Sequence, residues 1–179
     1  MPPSDPSELL TRVSDDDTEI LGPVERLLVH GNPELVHRAA HVLVLHPQKG
    51  TLLLQKRSAA KDTCPGLWDT SVGGHVGFGQ TYLQAALRES EEELGIVLQE
   101  SDLTFLYVTR LRDHQESENT ASYLCLHAGP FHPDPDEIDA VRFLTRAEIE
   151  AGLGTGILTP NFEAEYAAFL ASPHGTLLR

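Results

Sequence analysis

Positive charge is scarce in this chain: 13 lysines and arginines stand against 27 aspartates and glutamates, a formal charge of −14. Such a surface repels nucleic acid and anionic membranes, so neither is an expected partner, and a polyanionic substrate requires a bridging cation. Cysteine is scarcer still. Cys64 and Cys125 lie far apart, without metal-ligand spacing or a secretory leader pattern upstream, which argues against a disulfide framework and points to the reducing cytoplasm. No apolar run approaches the roughly 18 residues needed to span a bilayer. Aromatic residues are few, yet 40% apolar composition over 179 residues is enough for one domain with a core.

The opening MPPSDPSELLTRVSDDDTE is rich in Pro, Ser and Asp and carries little apolar periodicity. Residues 1–17 are therefore expected to form a mobile tail or arm, with a single folded domain over 18–179. Such an arm offers a route to a homodimer. EILGPVERLLV reads as a short strand turning at Gly22-Pro23, and HGNPELVHRAA carries a turn at Gly31-Asn32-Pro33. AAHVLVLH, PQKG and TLLLQKR read as a central hairpin, and WDTSV as a strand before a glycine-rich loop. Thr81 and Gln84 form a capping box for a helix through Leu94, which ends at Gly95. LTFLYVTRL and ASYLCLHA are strands around a polar loop, RDHQESENT, and DAVRFLT is another. Thr145 and Glu148 cap a short helix, and Pro160 opens a last one. Interleaved strands and helices predict an α/β fold with a mixed sheet and helices packed against it.

The helix after the glycine-rich loop carries Glu89, Glu91, Glu92 and Glu93 within five residues. At 100° per residue, Glu89, Glu92 and Glu93 span an arc of roughly 100°, away from a packed stripe of Leu83, Leu87, Ser90 and Leu94. Converging carboxylates repel one another, which raises their pKa values and destabilises the helix unless a cation sits among them. Mg²⁺ suits them, because it takes oxygen ligands and is bound through a few carboxylates plus substrate phosphates; Mn²⁺ is an alternative. The bland reading is a solvated acidic face behind a flexible connector.

The wider pattern favours the metal. Residues Gly74 to Ile96 resemble the Nudix box, the signature of the Nudix hydrolase family, written G-x5-E-x7-R-E-U-x-E-E-x-G-U with U apolar. Gly74, Arg88, Glu89, Glu92, Glu93, Gly95 and Ile96 fall in register. Gln80 stands where the box has its first glutamate, and Ser90 where it has an apolar residue. Ser90 is tolerable on the packed face if its hydroxyl bonds back to the preceding turn. Gln80 loses a charge but could still hydrogen-bond Arg88.

The resemblance implies a Nudix-type α/β/α sandwich and hydrolysis of a small-molecule diphosphate. Glu89, Glu92 and Glu93 would hold Mg²⁺, and Arg88 would orient Glu89. Glu89 is then the first candidate for the general base, and Glu116 or Glu118, on the loop between two strands, the second. Gly74 and His75 border the substrate. Lys56 and Arg57 either meet a substrate phosphate from a strand end or form an exposed basic pair. Tyr107, Arg110 and Arg112 could reach a base or phosphate, and Trp68 is expected in the core.

HRAAHVLVL, LLLQKRS, KDTCPGLWDTSVGGHV, ENTASYLCL, DEIDAVRFLT and TPNF look like the branch that contains isopentenyl-diphosphate isomerase and its hydrolase-like relatives. The isomerase moves a proton with a Cys just before the Gly-His of this loop and a Glu in an E-N-E segment, beside a metal held by three His and two Glu. This chain keeps His30, His37, His75 and Glu118-Asn119 but has Gly73 at the Cys position and Thr120 at the second Glu. A hydrolase is thus the better reading; an isomerase-like enzyme and a non-catalytic Nudix ligand-binding module remain the alternatives. Whether His30, His37 and Glu118 form a second metal site stays open.

Overall fold

The computed structural model describes residues 6–61 and 63–179. Its spine is β3 (His37–Leu45). β3 pairs in parallel with β8 (Ser117–Leu126) from His37↔Glu118 to Leu45↔Leu126, and antiparallel with β6 (Val72–His75) along Ala39–Val42. The turn at PQKG returns the chain into β4 (Leu52–Arg57) as the sequence predicts, but the hairpin opens at once. After the pair Leu45↔Leu52, β4 leaves β3 and pairs instead with β9 (Ile138–Leu144) and the short β5 (Trp68–Asp69). Ser71 explains how this is tolerated. Its buried hydroxyl accepts from Val44 N–H and donates to the Leu53 carbonyl, so a side chain satisfies groups that the parted strands no longer satisfy for each other.

Alternation along the strands sorts the core into two layers. Ala40, Val42, Val44 and Leu53 pack toward α2 (Tyr82–Leu94). Leu43, Leu45, Leu52 and Leu54 pack toward Ile149 of α3 (Arg146–Gly152) and toward Phe162, Tyr166 and Phe169 of α4 (Pro160–Ala171). This is the α/β/α sandwich with a mixed sheet. The caps follow the sequence signals: Thr81 and Gln84 satisfy each other's backbone N–H groups, Gly95 takes φ 65°, Thr145 and Glu148 form a second capping box, and Thr159 caps α4 ahead of Pro160. Among the described residues no helix is long and apolar enough to cross a membrane.

The N-terminal expectation needs correction. Residues 1–5 lie outside the described residues, but β1 (Leu9–Val13) is inserted in the sheet between β2 (Ile20–Glu25) and β3. Leu10 is fully buried against Val24 and against Val29 of the one-turn α1 (Arg26–Val29). The acidic run within the expected mobile tail is docked on distant partners: Asp17 accepts from Arg38 Nε and from the Tyr82 hydroxyl, each at 2.7 Å, and Asp15 lies 3.0 Å from Arg112. β2 runs straight through Gly22-Pro23, because Thr11↔Pro23 pairing places the proline on an edge strand where its missing N–H costs no ladder bond. The polar loop also shrinks. β7 (Leu103–Arg112) and β8 are joined by residues 113–116, since Ser117–Thr120 are buried between two partner strands despite their polar composition.

Leu10→Ala is expected to cost about 2–5 kcal/mol of stability, the range for a buried leucine, measured by urea unfolding. A loss below about 0.5 kcal/mol, the size of an ordinary surface change, would mean that the N-terminal strand is dispensable to the core.

Candidate active site

The packed face of α2 is not the leucine stripe but lies about 60° round from it, on Ala85, Ala86, Ser90, Glu93 and Leu94. Leu83 and Leu87 sit at its margin, partly buried. Ser90 is accommodated as expected, its hydroxyl donating to the Ala86 carbonyl at 2.7 Å. The rotation carries Glu93 inside. Its carboxylate is 5% exposed and accepts from Gln55 Nε2 at 3.1 Å and from Gly73 N–H at 3.0 Å. Burial and the neighbouring Glu89 push its pKa up to about 8.

Glu89 lies against the glycine-rich loop. A Cβ added to Gly74 would fall 2.0 Å from its carboxyl carbon, so only glycine leaves room for that carboxylate. Arg88 draws the group together, with Nη2 2.7 Å from Glu89, Nη1 2.7 Å from Glu92, and a third bond of 2.9 Å from Nη2 to the His75 carbonyl. Burial raises Glu89 to about 7; Arg88 offsets part of this and Glu92 adds to it. Gln80 does not turn to Arg88. Its amide oxygen accepts from Gly77 N–H at 3.0 Å and braces the loop instead.

These groups line one wall of a cleft of about 780 Å³. His75, Glu116 and Glu118 line the cleft too, and the register His37↔Glu118 brings His37, far away in sequence, behind them. Ligand atoms of His37, His75, Glu116 and Glu118 all lie within 4.8 Å of one another. Glu118 Oε1 is 3.2 Å from His37 Nε2 and 3.5 Å from His75 Nε2. Burial opposes ionisation of Glu118, but the two imidazoles outweigh it and hold its carboxyl well below the usual range. Burial likewise works against His37, whose pKa Glu118 nevertheless raises. The His30 ring lies 5.7 Å from that of His75 at a tilt of 57°, and burial, with the adjacent His75, lowers its pKa to about 4.

The remaining expected site residues separate. Arg57 faces the cleft but is already bonded to Asp69 and Thr63. Lys56, between Gln55 and Arg57, is on the opposite face of β4 and does not line the cleft. Tyr107 donates to the Glu165 carbonyl, and Arg112 is spent on Asp15 and Asn119, so neither serves the cleft. Arg110 borders a small chamber beside it, and Trp68 joins the core under α4. Glu118 belongs to β8 rather than to a loop, because pairing with both β3 and β7 extends the strand back to Ser117. Gln55, His41 and Glu165 are the residues missed. Gln55 reaches Glu93 only because the parted hairpin turns β4 toward α2, a geometry that no local spacing announces.

A family model described as NUDIX domain matches residues 35–166, well over half of the chain. An uncharacterised Nudix hydrolase of Yersinia pestis is 38% identical over 119 residues, 65% of this chain and 63% of that protein, so the match covers less than two thirds of its length. The isopentenyl-diphosphate Delta-isomerase of Streptomyces avermitilis is 30% identical over 145 residues, covering 79% of this chain and 73% of the isomerase. In structure, the Deinococcus radiodurans protein DR0079 superposes with a TM-score of 0.73 at 24% identity, over 90% of this chain and 99% of that one. The box in its observed geometry, the sandwich that carries it and these matches agree that the chain belongs to the Nudix family.

Proposed function

We propose that the protein is a Mg²⁺-dependent hydrolase that cleaves the diphosphate linkage of a nucleoside diphosphate or a related compound. The observation that carries this reading is the pair Glu89 and Glu93 on one cleft wall, the first half-buried and the second buried, raised to about 7 and 8, with Arg88 paired to Glu89 and Glu92 but not to Glu93. That charge imbalance suits a hard divalent ion, which Glu89, Glu92 and Glu93 would hold. Bound there, Mg²⁺ or Mn²⁺ would neutralise phosphate oxygens and make a water more acidic.

The chain's own groups supply the rest. Gln55 and Gly73 N–H fix Glu93, and Arg88 fixes Glu89 and Glu92, so no carboxylate must reorganise during the reaction. Water attacks phosphorus, the bridging P–O bond breaks, and Glu89 accepts the water proton. Glu118, held ionised between two imidazoles, is the poorer base. The His37, His75, Glu116 and Glu118 cluster offers mixed N and O donors for a second divalent ion. Gln80 supports Gly77 and leaves the supports of Glu93 and Glu89 to other residues, which disfavours a module without turnover. Isomerisation is disfavoured because neither Gly73 nor Thr120 can move a proton. The unpaired Cys64 and Cys125 suit the cytoplasm.

The reading is tested by phosphate release from nucleoside diphosphates, their conjugates and isopentenyl diphosphate with Mg²⁺ or Mn²⁺. Glu93→Gln, which keeps both hydrogen bonds, is expected to lower turnover about 100-fold. No hydrolysis of any substrate by the wild type overturns the proposal.

Gly74→Ala is expected to displace the Glu89 carboxylate while leaving the fold intact, weakening metal binding about tenfold by calorimetry, the low end for disturbing a ligand's support. Unchanged affinity would show that the glycine cradle is not needed for the ion.

Glu89 and Glu93 bind protons more tightly folded than unfolded, so their contribution to stability is present below about pH 4.5 and is lost as pH rises through about 7 and 8. Without metal the melting temperature should fall from about pH 5.5 to 8.5, and the gain on adding Mg²⁺ should grow over that range. Glu93→Gln should flatten both trends; identical slopes in variant and wild type would refute the link.

A further inference from the structure

His41 has no part in the chemistry described so far. β3 directs it toward α4, where its Nδ1 lies 3.0 Å from Oε2 of Glu165. The other oxygen of Glu165 accepts from Ser122 Oγ at 2.6 Å, and the carboxylate is 4% exposed. The ring's opposite edge lies against Gly73: a Cβ at that position would stand 3.0 Å from Cδ2 and 3.2 Å from Nε2 of His41. His41 borders both the main cleft and the adjoining small chamber, and no group among the described residues bonds its Nε2. Gly73 meanwhile gives its N–H to Glu93. One glycine therefore separates a box glutamate from a clamped imidazole.

A purely structural role explains this poorly. A buried ion pair seldom stabilises a fold more than apolar residues of the same volume would. Here, too, one ring edge is left facing the cleft by a glycine that cannot cover it. The lysine and the arginines along the cleft are committed: Arg57 to Asp69, Lys61 to Glu137, Arg88 to Glu89 and Glu92, Arg26 to Glu8. His41 is also paired, but only through Nδ1, which leaves its second N–H aimed at the open space.

We infer that His41 is a further catalytic residue of this cleft, whose Nε2–H binds an oxygen of the leaving phosphate above Gly73, on the side away from the box glutamates. The inference rests on the diphosphate reading and specifies it. Water oxygen bonds to one phosphorus, the bridging P–O bond breaks, and its electron pair goes to the leaving phosphate. The water proton goes to Glu89, and His41 stabilises the new negative charge while keeping its own proton. Retention is favoured because Glu165 outweighs burial and pushes the ring up to about 9. Asp69 and Glu118 add to that hold, while Arg110 borders the small chamber across from the ring. Gly73 is then a clearance, not merely a missing nucleophile.

His41→Gln keeps a donor for Glu165 but removes the charged N–H. It is expected to lower kcat about 100-fold on the diphosphate substrate hydrolysed by the wild type, with KM within about threefold, the pattern of an interaction made in the transition state. In the folded wild type, magnesium pyrophosphate is expected to shift the ¹⁵N resonance of His41 Nε2, a readout independent of whether the variant folds. If Glu93→Gln loses turnover while His41→Gln keeps full kcat and the ring resonance stays fixed at saturating pyrophosphate, His41 is removed and the hydrolase reading stands. If the wild type neither hydrolyses a diphosphate nor binds magnesium pyrophosphate, both fall together.

Discussion

Burial of Glu93 in the packed face of α2 is the constraint on which the site depends. A carboxylate enters a helix–sheet interface only with hydrogen-bond donors to meet it, and here Gln55 on β4 and the Gly73 N–H on β6 both bond its Oε2. Those two strands can both reach it because the β3–β4 hairpin splits after one pair and Ser71 stitches the breach. The split that looks like a defect in the sheet is what lets strand side chains meet a helix carboxylate. With Glu93 fixed inside, Glu89 is confined between Gly74 and Arg88, and the cleft wall acquires its excess negative charge.

The second cluster depends on a different device, the parallel register of β3 with β8. Pairing His37 with Glu118 puts an imidazole and a carboxylate side by side, and His75, arriving on β6, meets the same oxygen. Arg88 links the two clusters through the His75 carbonyl, so displacement of the glutamates is felt on the histidine strand. The docked acidic turn closes the same end: Arg112 spans from Asp15 to Asn119, and Asp17 ties β3 to α2 through Arg38 and Tyr82.

Legibility in the sequence followed the range of the interactions. The capping boxes, Gly95, the Nudix box and the alternating strands rest on contacts within a few residues, and they were readable there. The N-terminal strand was not, because Asp15 and Asp17 find Arg112, Arg38 and Tyr82 tens of residues away, and a Pro- and Asp-rich stretch without those partners looks unfolded. The helical wheel placed the three glutamates together but put Glu93 outside; leucines normally define the packed face, and only a buried amide and a glycine N–H make glutamate acceptable instead. Lys56 and Arg57 read as one basic pair, yet a strand sends neighbours to opposite faces.

Gly73 and His41 are best understood as a steric alternative. The ring edge of His41 occupies the ground over Gly73, at contact distances that a side chain there would have to relieve. A side chain at position 73 would require the imidazole at position 41 to give way by a few tenths of an ångström. Glu165, itself bonded by Ser122, holds that ring from behind. Thr120, which stands where the isomerase resemblance calls for a second glutamate, borders the same small chamber as His41 and adds no charge beside the His41–Glu165 pair.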